Sequence, residues 1–120
     1  SSDVCSSDLD DKNGLSRCYN IMSQIYTVKR LDSMAFEWQL KEIELTEKYD
    51  LENYNISQTY SQISSYYINT NQPEKALEAL KKADATAYSP TQKISVQLEY
   101  VNYYSKFGDM QAAEKILNEI

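Results

Sequence analysis

An all-α fold, about six helices paired as antiparallel helix–turn–helix repeats and stacked in an array, is what this 120-residue sequence predicts. Three observations carry the prediction. Apolar and aromatic residues recur at three-to-four spacing over most of the chain, the period of one helix face. One phrase is written three times: an aromatic-studded helix, a short turn, then a small residue opening a second helix. Repetition on that scale is the mark of a stacked helical array. Finally, two Gly and two Pro in the whole chain leave little room for irregular structure. No run reads as a strand, because Tyr66, Tyr67 and Ile68 lie inside a longer helical period.

The elements follow in order. Residues 1–14 are polar and end in Asn13 and Gly14, a turn signal. A first helix is expected over roughly 16–30, with Tyr19, Met22, Ser23, Ile25 and Tyr26 on one face. A second, roughly 33–49, interleaves Phe36, Trp38, Leu40, Ile43 and Leu45 with Glu and Lys; Glu37/Lys41 and Glu44/Lys48 are favourable four-apart pairs on an exposed face. Capping-box spacing at Asn55/Gln58, Asn71/Glu74 and Ser89/Gln92 opens helices over roughly 56–70, 72–86 and 90–106. Pro90 takes a first helical position, where its missing N–H costs nothing. Gly108 and Asp109 stop one helix and start the last, roughly 109–120.

The clearest copy of the phrase runs Tyr60, Ile63, Ser64, Tyr67, a turn at Asn71–Pro73, then Ala76, Leu80 and Ala83. Another runs Tyr100, Val101, Tyr104, Gly108, Ala113 and Leu117, and a looser one Tyr19, Met22, Ser23, Tyr26 and Ala35. These residues resemble the tetratricopeptide repeat, a helix–turn–helix unit of about 34 residues. In that family small residues open and close the second helix so that paired helices approach. The opening alanines here are 41 residues apart (35 to 76) and then 37 (76 to 113). Gln97 stands where a large residue is usual, and Gln39 and Glu42 where apolar or small ones are; Trp38, Leu40, Ile43 and Leu45 offer an alternative apolar stripe. The resemblance implies a right-handed α-solenoid over 15–120, with repeats at about 16–50, 56–87 and 90–120. The last helix carries Ile116, Leu117 and Ile120 without a polar capping face, so the chain is expected to be a fragment of a longer array, truncated at its C-terminus.

Residues Ser1 to Leu9 match the translation of AGT TCA GAC GTG TGC TCT TCC GAT CT, identified as a common sequencing-adapter string, and residues 1–14 are expected to be a non-native or disordered leader in an assembled environmental, bacterial sequence. Removing Asp3 and Asp8 from the 18 acidic residues leaves 16 against 12 basic ones, so the net charge moves from −6 to −4. Cys18 is then the one native cysteine, a small helix residue with no internal partner. The native N-terminus is expected to be missing, so cytoplasmic and periplasmic locations both stay open.

The chemistry points away from catalysis. There is no His, hence no commonest general base or metal ligand and no Cys–His pair. Gly14 and Gly108 stand alone, so there is no phosphate-binding glycine loop, and neither a cofactor nor a metal site is expected. Glu42, Glu44 and Glu47 read as a solvated helix face. The acidic balance and the small Lys81–Lys82 pair speak against nucleic acid, and no stretch reaches the roughly 18 apolar residues of a membrane span. Tyr19, Tyr26, Tyr60, Tyr67, Tyr100 and Tyr104 are expected in the core, with Tyr66 and Tyr103 more exposed.

The expected function is therefore a protein-interaction scaffold. The resemblance implies that the first helix of each repeat lines a groove for a peptide or partner helix, with Arg17, Asn20, Gln24, Gln58, Ser61, Ser65, Leu98, Asn102 and Lys106 as its partner-binding residues. The alternative is a sensory or regulatory segment of a bacterial signalling or transcription-regulatory protein.

Overall fold

The computed structural model describes Cys5 and residues 11–120. Six α-helices follow one another: α1 (Lys12–Val28), α2 (Asp32–Lys48), α3 (Ile56–Asn69), α4 (Pro73–Thr86), α5 (Pro90–Phe107) and α6 (Met110–Glu119). Among the described residues there is no strand. Two compact units divide the chain, Ser1–Asn53 and Tyr54–Ile120. The first pairs α1 with α2; in the second α3 packs on α4 and α5, α4 on α5, and α5 on α6.

The start of α1 differs from the expectation. Asp11 caps it by accepting a hydrogen bond from the Gly14 N–H at 2.8 Å, so Asn13 and Gly14 form the first turn of the helix and not a turn before it. Cys18, expected to have no internal partner, has one in Cys5. The two are joined by a disulfide, with their Cα atoms 5.7 Å apart, within the reach such a bond requires. Residues 1–4 and 6–10 of the expected leader lie outside the described residues.

Helix ends are set by one device used four times. Arg30, Asp50, Asn71 and Gly108 adopt positive φ, the left-handed conformation that ends a helix. Each time the next residue's N–H reaches back five positions: Leu31 to the Tyr26 carbonyl, Leu51 to Thr46, Gln72 to Tyr67 and Asp109 to Tyr104. Asn71 thus ends α3 and does not cap α4, whose N-cap is Gln72, while Asn55 holds the N-cap of α3 without a side-chain cap bond. The Ser89 cap holds as expected: its Oγ accepts from the Gln92 N–H at 3.2 Å, and Gln92 Oε1 accepts from the Tyr88 N–H at 3.1 Å.

Three of those four left-handed positions are not glycine. For an L-residue the conformation costs about 1–2 kcal/mol, part of which glycine gives back as unfolded-state freedom. Arg30→Gly is therefore expected to stabilise the α1–α2 hairpin by about 0.5–1 kcal/mol. Lys29→Gly, one residue earlier and right-handed, should destabilise it. Urea titration of the helical signal tests both, and equal effects at the two positions would contradict the turn geometry.

In the second unit the small residues do the work assigned to them. Ser57, Ser64, Ala76, Leu80 and Ala83 are all essentially inaccessible. The Ser57 hydroxyl donates to the Ala83 carbonyl at 2.7 Å and Ser64 to the Ala76 carbonyl at 3.2 Å, so α3 and α4 run antiparallel with their backbones close. α6 is held by Ala113, 1% exposed, whereas Leu117 is 51% exposed and does not pack as the repeat pattern implied.

In the first unit the inner face of α2 is Ala35, Trp38, Gln39, Glu42 and Thr46, not the apolar stripe through Leu40, Ile43 and Leu45. Glu42 is 1% exposed, so its assignment to a solvated face is corrected, while Glu44 and Glu47 are exposed as expected. Its Oε1 accepts from Asn20 Nδ2 at 3.2 Å and its Oε2 from Asn53 Nδ2 at 2.8 Å. The Asn53 amide also reaches Thr46 Oγ1 at 3.2 Å. A buried carboxylate is tolerated only when hydrogen-bonded, and here two amides converge on it. Trp38 completes the face against Tyr19, with ring centroids 5.6 Å apart.

The tyrosines are less deeply placed than expected. Of the six assigned to the core only Tyr60 is buried; Tyr19, Tyr26, Tyr67, Tyr100 and Tyr104 are half-buried, like Tyr66 and Tyr103. Each of these seven side chains is covered in part and exposed in part, the usual compromise for an amphipathic aromatic. On α5 they pack in series, Tyr100 against Tyr104 at 6.1 Å and Tyr103 against Phe107 at 5.1 Å.

Candidate functional site

α3 and α5 lie side by side in the same direction, as their paired N-terminal turns show. The Tyr54 and Tyr88 rings meet at 5.4 Å, and Gln92 Nε2 donates to the Tyr54 carbonyl at 2.7 Å. Just beyond, the two helices open on a pocket of about 140 Å³ lined by Ser57, Gln58 and Ser61 from α3 and Thr91, Gln92 and Ser95 from α5. The two sets match at a spacing of 34 residues: 57 with 91, 58 with 92, 61 with 95. The lining is hydroxyls, primary amides and the short carbons that carry them. Such groups donate and accept hydrogen bonds equally and carry no charge.

One of them is incompletely used. The Ser61 hydroxyl is buried, the residue being 8% exposed, and it has no hydrogen-bond partner. A buried hydroxyl left this way costs about 1–3 kcal/mol. Its neighbour Ser57 has spent its hydroxyl on the Ala83 carbonyl, so the two serines on this face are not equivalent.

The chain matches no known protein family, no curated protein and no solved structure. Its site must be read from its own geometry.

Of the expected groove residues, the structure brings Gln58 and Ser61 together at the pocket, with half-buried Ser65 one turn further along α3. On α5, Leu98, Asn102 and Lys106 are exposed, and the Asn102 amide donates to Glu99 Oε1 at 3.3 Å. On α1, Arg17 is exposed, but Asn20 is committed to Glu42 and the Gln24 amide donates to Asn20 Oδ1 at 2.6 Å. Asn20 thus belongs to the first unit's polar interior, and Gln24 is tied to it from the exposed side. Sequence reasoning missed Thr91, Gln92, Ser95 and Glu99. The recurrence of hydroxyl and amide types at 34-residue spacing was the available signal.

Charge on this face is sparse. α3 has no ionisable acid or base beyond its tyrosines, and α5 carries Lys93, Glu99 and Lys106. Burial, then Glu78 and Tyr66, push the Tyr67 phenol up; burial, then Asp84 and Tyr104, do the same for Tyr100, so both are neutral at pH 7. Burial raises the Glu99 carboxyl above the ordinary carboxylate range, only partly offset by the Asn102 hydrogen bond. The folded chain therefore holds this proton more tightly than the unfolded chain. The resulting stability is present below the ordinary carboxylate pKa and is lost as pH rises through the folded value. Glu99→Gln is accordingly expected to raise the thermal midpoint at pH 7 and leave it unchanged at pH 4, as melts followed by circular dichroism at both pH values would show. Among the described residues no helix is long and apolar enough to cross a membrane.

Proposed function

We propose that the chain is a protein-interaction scaffold that holds a peptide or partner helix along α3 and α5. The observation that carries this is the pocket between them, neutral and hydrogen-bonding on both walls, with the buried Ser61 hydroxyl lacking a partner. Peptide backbone offers alternating N–H and C=O groups, which hydroxyls and amides can meet without a fixed charge pattern. The resemblance of the phrase around Tyr60, Ser64, Tyr67, Ala76 and Ala83 to the tetratricopeptide repeat supports the same reading and extends it to a stacked, right-handed array. The half-buried Ser65 extends this polar strip one turn beyond the pocket wall.

The test is selection of a displayed random 12-residue peptide library on the purified chain. Recovered peptides are expected to lose at least tenfold in affinity for Ser95→Trp, whose indole fills the pocket from an exposed position. Recovery of no peptide, or of peptides indifferent to Ser95→Trp, would contradict the groove.

A further inference from the structure

Two helices carry an exposed apolar row. On α1 the inner face is turned to α2, with Ser16 and Ser23 buried and Tyr19 against Trp38. Ile21, Ile25 and Val28, at i, i+4 and i+7, form a second row on the opposite side and are 55%, 41% and 83% exposed. On α6, Met110, Leu117 and Ile120 form a row beside the buried Ala113 and are 54%, 51% and 51% exposed. Contiguous apolar surface of this kind marks a site of interaction.

The repeat shows what α6 lacks. With Ala113 aligned on Ala76, Leu117 and Ile120 take the places of Leu80 and Ala83, both 0% exposed in α4. Two helices, α3 and α5, cover α4, whereas among the described residues α6 meets α5 alone. Its open side is therefore shaped for one more helix. Charge says which. Arg17, Ile21, Ile25 and Lys29 fall in one i, i+4 row, all exposed, and α1 holds no acid. On α6, Glu114 stands between Met110 and Leu117, and Glu119 follows, against Lys115 alone. Two α1 helices brought together would set the cations of one against those of the other, and two α6 helices would set Glu114 against Glu114. Only α1 against α6 joins the apolar rows with flanking charges that attract.

We propose that the chain binds a second copy of itself head to tail, the Ile21–Val28 row of α1 in one copy covering the Met110–Ile120 row of α6 in the next, with the cations of α1 beside Glu114. The two surfaces differ, so the contact is heterologous: every added copy leaves one α1 row and one α6 row free, and assemblies lengthen with concentration. Neither row includes a residue of the pocket between α3 and α5, so the outcome of a peptide selection there does not bear on this contact.

Sedimentation velocity on the full chain from about 10 μM to 1 mM, the range in which small interfaces associate, is expected to show average mass rising with concentration. Raising the salt from about 0.05 to 0.5 M should weaken the association by roughly threefold. Ile21→Asp and Leu117→Lys, both at exposed positions, are each expected to leave a monomer. An equimolar mixture of the two variants is nevertheless expected to form a one-to-one dimer, because the first keeps its α6 row and the second its α1 row. Should either variant lose helicity, Val28→Asp mixed with Met110→Lys repeats the test. A monomeric unaltered chain across the whole range, self-association that survives either substitution, or a mixture of folded variants that stays monomeric would overturn the inference.

Discussion

Replacing Asn53 with alanine is expected to weaken the first unit by about 2–3 kcal/mol. The Asn53 amide donates to Glu42 Oε2 at 2.8 Å, and Glu42 is 1% exposed. Hydrogen bonds to a charged group contribute about 1.5–3 kcal/mol, and stripping a partner from a buried charge costs more than the bond alone. Water has little access to take over. Glu42→Gln combined with Asn53→Ala should cost less than the sum of the single changes, because a neutral amide needs the missing donor less. Urea unfolding followed by the α1–α2 amide signals measures the cycle. An unchanged midpoint for Asn53→Ala would mean that the amide contributes nothing to this interior.

The second large effect belongs to Ala76→Trp. Ala76 is fully buried, and its carbonyl accepts from Ser64 across the α3–α4 interface. An indole there must push the helices apart or adopt a strained rotamer, at a cost of about 3 kcal/mol. Lys75→Trp, one residue away and exposed, should cost a few tenths at most. Stability and helicity unchanged in Ala76→Trp would show that the interface is not where these residues place it.

These two sites divide what the sequence discloses from what it does not. The α3–α4 hairpin was legible because its inner residues are of the types its geometry needs: Ser57, Ser64, Ala76 and Ala83 are small where backbones meet. Turns at Asn71–Pro73 and Gly108 were legible from the turn-forming residues themselves. The interior of the first unit was not. Positions 41 residues earlier than Leu80 and Ala83 are Gln39 and Glu42, both buried, and polarity there pointed to water. Glu42 is satisfied by Asn20 and Asn53, 22 and 11 residues away. No local pattern announces such partners.

The pocket was half legible. Gln58 and Ser61 followed from the repeat, but its α5 wall did not. Aligning Tyr100 and Tyr104 with the earlier copy implies a 37-residue shift, whereas the pocket walls match at 34. The helices start 34 residues apart, at Ile56 and Pro90, but end 38 apart because α5 is 18 residues long against 14 for α3, so a register taken from the later tyrosines misplaces the opening turns where Thr91, Gln92 and Ser95 sit. Glu99 was passed over for a different reason: a lone acid on a helix carries no signal until its burial is known.

The packing order of the helices has a consequence for how the chain acquires its structure. Among the described residues, α1 meets α2, α3 meets α4, α4 meets α5 and α5 meets α6, and the α3–α5 contact alone skips a helix. Nearly every contact therefore closes a short stretch of chain, and little entropy is spent bringing distant segments together. Helical proteins of such local topology fold in about microseconds to milliseconds. During synthesis each hairpin is free to close as soon as its own second helix clears the ribosome, without waiting for residues still to be added.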